Sequence, residues 1–122
     1  MNNITSPNNS EVEIEHIIQT KGLTAPRICP ADIEANIKFV EYVKHISAGG
    51  QVLRWAVITT ASGFAVIGRP SASVSPENDD AEVGERTALA NSKSELWLLM
   101  IYALKENLYM AAQSLKEFNE RR

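Results

Sequence analysis

Ionisable side chains crowd one short stretch of this chain: Glu77, Asp79, Asp80, Glu82 and Glu85. Carboxylates one turn apart share a helical face, where a pair could act as general acid and base or hold a divalent ion. Oxygen-ligand sites need more donors and a defined loop, and the calcium-loop spacing is absent. Acidity at the positive end of a helix explains the cluster more simply. His16 and His45 lie far apart, and the chain holds no H-x-x-x-H or C-x-x-C, so no zinc site is expected. Cys29 precedes Pro30 at a predicted helix start, which can lower a thiol pKa, but no base accompanies it. It reads as a cap or a small buried residue. Gly63 and Gly68 have phosphate-loop spacing without the following Lys-Ser/Thr, and they bracket a strand. No nucleophile pairs with a base, so the chain reads as a non-enzyme without metal or cofactor.

A second group could bind rather than react: Arg54, Trp55, Phe64, Arg69, Arg86, Asn91 and Lys93. Cationic side chains beside an aromatic face suit a phosphorylated purine. They would converge only if the hairpin packs on the start of the last helix. The plainer reading puts Trp55 and Phe64 in the core and leaves the arginines solvated. Asn91 falls mid-helix, where asparagine is intrinsically unfavourable, and a side-chain contact would account for it.

The elements that must position these residues fit one small domain. The 122 residues are 44% hydrophobic and 22% charged, enough for a core. A net charge of −3 argues against broad electrostatic binding to nucleic acid. With a single cysteine, no disulfide can close within the chain, and a reducing compartment is expected. The longest apolar run, Leu96 to Leu104, is about half the ~20 residues of a membrane span, and Met1 to Asn9 lacks the regions of a secretory signal. The expectation is a protein of the cytoplasm with no membrane contact.

Residues 1–9 are polar and Asn-rich and read as a disordered tail. Ser10 with Glu13 can form a capping box for a first helix ended by Gly22, although Val12 and Ile14 also alternate as in a strand. Pro30 and Asp32 open a second helix, whose face is Ile33, Ile37, Val40, Val43 and Ile46, stopped by Gly49-Gly50. Val52 to Thr60 then switches to strand period, with Leu53, Trp55 and Val57 opposite Val52, Arg54, Ala56 and Ile58. Ala61-Ser62-Gly63 turns the chain into a second strand, Phe64 to Gly68, and the loop to Pro76 has room for a third short strand. Ser75 or Asn78 starts a last helix that nothing interrupts between Glu85 and Phe118. The class is α+β: N-terminal helices, an antiparallel β-hairpin and a long C-terminal helix.

That last helix carries the strongest pattern. Trp97, Ile101, Leu104, Leu108, Ala111, Leu115 and Phe118 recur at spacings of four and three, the seam of a helix lying along a partner. Residues 10–106 read as the domain and 107–122 as an extension for self-association; an intramolecular helical hairpin is the alternative.

The residues resemble a small family of tailed-phage proteins, the gene 49/gene 66 family named after a lytic coliphage and a Shigella phage. The matching parts are Gly22-Leu23-Thr24-Ala25-Pro26-Arg27, Pro30 with Asp32-Ile33-Glu34, Gly63-Phe64 and Ser71-Ala72. Pro76-Glu77-Asn78, Asp80-Ala81-Glu82-Val83-Gly84, Ala90-Asn91, Trp97 and Tyr102 continue the series. Asp79 departs from it, standing where the family usually has an aromatic residue. Leu98, Met100 and Ile101 replace a recurring Pro, Glu and Gly, so any role of that glutamate does not transfer and the helix should run straighter. The resemblance implies a phage or prophage accessory protein and no reaction. Together these readings predict a homo-oligomer in the host cytoplasm that binds and modulates or inhibits a host protein, such as one of a defence system. The alternative is a sponge that sequesters a small nucleotide signal between subunits.

Overall fold

A computed structural model describes residues 9–121. The expected tail at residues 1–9 lies outside them except for Asn9, which is already helical. The first helix, α1, spans Asn9–Thr20, so Ser10 sits within it rather than capping it. Its end is as expected. Gly22 takes φ +64, and the N–H groups of Gly22 and Leu23 donate to the carbonyls of Gln19 and Ile18, closing the last turn. Val12, Ile14 and Ile17 remain exposed on α1. A two-pronged ion pair from Arg27 to Glu15, at 2.6 and 2.8 Å, ties the helix to the following segment.

The second helix, α2, is only Pro30–Asn36. The expected continuation to Ile46 is instead strand β1, Ile37–Ile46, paired antiparallel with β2, Val52–Thr60. Ile37, Phe39, Val40, Tyr42, Val43 and Ile46 are β-branched or aromatic, and that composition outweighs the helical spacing. Gly49-Gly50 therefore makes a hairpin turn rather than a helix stop. Ser47 accepts from Gly50 N–H, its hydroxyl accepts from Gln51 N–H, and Gly50 takes φ +89. The other hairpin is present as predicted: Gly63 at φ +90 turns β2 into β3, Ala65–Ile67. The short extra strand is β4, Ser71–Ser73, paired with the start of β2.

A 3-10 turn at Pro76–Asn78 precedes α3, which starts at Ala81 rather than at Ser75 or Asn78 and runs unbroken to Glu120. Asp80 is its cap, accepting from Val83 N–H at 3.0 Å. Forty residues make a rod of about 60 Å. Its first half lies on one face of the sheet, where Ile33, Ala56, Ile58, Val66, Ala88, Leu89 and Leu96 form the core.

Candidate functional site

The acidic stretch does not gather into one centre. Asp80 caps α3, Glu82 makes an exposed i,i+4 pair with Arg86 at 3.6 Å, and Asp79 turns inward to Arg54. Among the described residues, no group of three or more His, Cys, Asp or Glu side chains could hold a metal ion. His16 lies on α1 and His45 on β1. Cys29 precedes α2, with its N–H and thiol both directed to the Asp32 carboxylate, at 2.9 and 3.2 Å. Those two bonds, led by the backbone one, hold the Asp32 carboxyl below its ordinary pKa.

The seven cationic, aromatic and amide candidates are dispersed. Strand alternation sends Arg54 and Trp55 to opposite faces of the sheet. Arg54 is buried under α3 and bound at both guanidinium nitrogens to Asp79, whose other partner is Ser73 Oγ at 3.1 Å. The Arg54 hydrogen bonds hold the Asp79 carboxyl below its usual value, and the carboxylate in turn raises the guanidinium. Phe64 is exposed at the β2–β3 turn, and Arg69 is exposed on the loop between β3 and β4. Lys93 is bound to Glu34 of α2 at 2.8 Å. Asn91 has the side-chain contact its mid-helix position called for: it donates to the Arg69 carbonyl at 3.1 Å.

Sequence reasoning overlooked Ser92. This fully buried hydroxyl donates to the Ala56 carbonyl at 2.6 Å and accepts from Gly68 N–H at 2.9 Å. Ala56 lies between the β2 residues paired with β4 and those paired with β3, where the ladder is interrupted. One side chain thus satisfies backbone groups that the sheet leaves unpaired. Only glycine fits at position 68, since a Cβ there would collide with the Asn91 carbonyl.

Among the described residues, one uncovered surface is mainly apolar. The sheet face turned away from α3 presents Phe39 and Val43 from β1, Leu53, Trp55 and Val57 from β2, and Ile67 from β3, with Glu41, His45 and Thr59 interspersed. Phe39, Val43 and Ile67 are 58%, 48% and 54% exposed, and the three central residues are half-buried. Contiguous apolar areas of this kind mark interaction sites. The sequence hid it because β1 read as a helix.

The predicted seam divides into two parts. Trp97 packs against the core, and Leu104 lines a shallow groove with Pro26, Ile28, Ala35 and Met100. Ile101 is half-exposed, and from Lys105 to Arg121 every residue is exposed, including Leu108, Ala111, Leu115 and Phe118. Within the described residues the rod does not fold back on its own domain. No helix there is long and apolar enough to cross a membrane.

Residues 28–108 match the Phage protein (N4 Gp49/phage Sf6 gene 66) family, and with most of its length covered the chain belongs to that family. No curated protein matches the chain, and no solved structure does.

Proposed function

We propose that this phage protein is a non-enzymatic accessory factor that binds a host protein in the host cytoplasm and modulates or inhibits it. The observation that carries the reading is the bare apolar face of the sheet, with Phe39, Val43, Trp55 and Ile67 in one surface. Such a face costs solubility in isolation, and a partner that covers it gains the burial. A central tryptophan with Val43, Leu53 and Val57 around it and polar Glu41 and His45 beside them is also the composition of energetic centres in protein interfaces. The chemistry of the cationic residues points the same way. Arg54 and Lys93 are engaged with Asp79 and Glu34, which leaves them poor candidates for a phosphate.

The test is capture from host lysate by the full-length protein, repeated with the purified captured protein and with Val43→Lys and Trp55→Lys variants. One host protein held at fixed stoichiometry by the parent and lost by both folded variants is the expected result. Undiminished binding by both variants would reject the sheet face as the site.

A further inference from the structure

We propose that two copies of this chain pair antiparallel through the exposed half of α3, with Ala111 at the two-fold axis. The stripe that makes the pair begins inside the domain. Lys93 reaches Glu34 of α2, the Asn36 amide contacts Met100, and Leu104 lies in the groove beside α2. These positions lie along one line of the helix, and Leu108, Ala111, Leu115 and Phe118 continue it at spacings of four and three. Below Leu104, therefore, the rod keeps presenting to solvent the face that α2 covers above.

That geometry selects the direction of the second copy. A parallel rod seated on the stripe would continue upward into the space already filled by α2 and the Pro26–Ile28 segment. An antiparallel rod meets no such obstacle, because its own domain lies beyond this chain's C-terminal end. Lys105 to Arg121 is about 26 Å of helix at 1.5 Å per residue. Centring the axis on Ala111, midway between Leu104 and Phe118, brings Leu104 of each copy level with Phe118 of the other. The small side chains of Ala111 and Ala112 let the helices approach closely at the crossing.

Charge favours a second copy as the occupant. The positions flanking the stripe are Lys105, Ala112 and Asn119 on one side and Asn107, Ser114 and Arg121 on the other. Centring the axis on Ala111 sets Lys105 level with Glu117 and Arg121 level with Ile101 of the second copy, so no two like charges meet. A standard interface uses about 20–30 residues a side. One face of the exposed rod supplies roughly eight of these. The groove residues beside Leu104, reached by the second copy's Phe118 at each end, add about seven more, so the pair forms an interface at the small end of interface sizes. Antiparallel pairing also sets the helix dipoles head to tail.

The experiment uses the full chain carrying Cys29→Ser, with single cysteines introduced and the fold checked by circular dichroism. Sedimentation equilibrium should give a dimer. Under mild oxidation Ala111→Cys should cross-link to itself. Leu104→Cys and Phe118→Cys should cross-link with each other when mixed and far less when alone. Because Leu104 also packs in its own domain, Leu108→Cys mixed with Ser114→Cys provides a second pair outside the domain with the same expectation. A monomer at tens of micromolar overturns the proposal and leaves the stripe to a different partner. Efficient Leu108→Cys self-cross-linking, the signature of a parallel pair, overturns it as well.

Discussion

Asp79 binds both terminal nitrogens of Arg54, joining the turn before α3 to the buried face of β2. The acid stands just after the 3-10 turn, and the cation occupies a strand position flanked by Val52 and Ala56 on the same face. Neither is at home there alone. An unpaired buried guanidinium is costly, whereas a two-pronged carboxylate with Ser73 as its third partner satisfies the pair and fixes where α3 begins.

Stability should consequently fall in acid, and Asp79 should contribute to that fall. Its folded pKa is depressed by Arg54, so its contribution is fully present above the unfolded carboxyl value, about 3.9. It is lost as pH drops through the folded value. Glu15, held low by its hydrogen bonds to Arg27, and Asp32 act in the same direction. Urea midpoints at fixed protein concentration should be level from pH 7 to about 5 and decline below about 4. Asp79→Asn should lower the midpoint at pH 7, and the gap from the parent should narrow in acid. An equal gap at pH 7 and pH 2.5 would contradict this account.

Ser92 and Gly68 should be sensitive out of proportion to their size. Ser92→Ala leaves the Ala56 carbonyl and the Gly68 N–H buried without their partner, a loss of about 1–3 kcal/mol. Gly68→Ala drives a methyl group into the Asn91 backbone, so β3 and α3 must separate, at a cost of about 1–3 kcal/mol. Both are measured by urea unfolding. A neutral Gly68→Ala would mean that the strand and helix are not held at this approach.

How far the sequence could be read depended on whether its periods were clean. The α3 stripe and β2 were visible because Trp97 to Phe118 and Val52 to Thr60 each keep a single repeat. Residues 37–46 do not. Val40 and Tyr42 face the core while Phe39 and Val43 face outward, so apolar residues on both faces imitated a helical spacing through Ile33, Ile37, Val40, Val43 and Ile46. Misreading β1 concealed the outer sheet face, which needs both strands to exist. The strand period groups Arg54 with Val52, Ala56 and Ile58, but the plainer reading leaves it solvated and puts Trp55 and Phe64 in the core. The structure buries Arg54, turns Trp55 to the outer face and exposes Phe64. The partner of Arg54 lies 25 residues away, and no local pattern links the two.

The two faces of the sheet should respond differently to substitution. Leu96→Ala opens a cavity under α3 and should cost about 2–5 kcal/mol. Val43→Lys on the outer face should cost about 1 kcal/mol or less, the range set by strand preference alone. Chemical denaturation distinguishes them. A Val43→Lys loss as large as that of Leu96→Ala would show that the outer face is covered within the folded protein itself.

Hydrogen exchange along α3 should divide the rod at about Leu104. Ala88 to Leu96 is pinned to the sheet by buried side chains and by Ser92, so its amides should exchange only on global unfolding. Lys105 to Glu120 is exposed among the described residues, and a helix of that length is marginal in water without tertiary packing. In dilute solution its amides should exchange quickly, and raising the protein concentration should slow them as a second copy covers the stripe. Protection of Lys105 to Glu120 that matches Ala88 to Leu96 at every concentration would mean that the rod is stabilised from within the chain, and the need for a second copy would disappear.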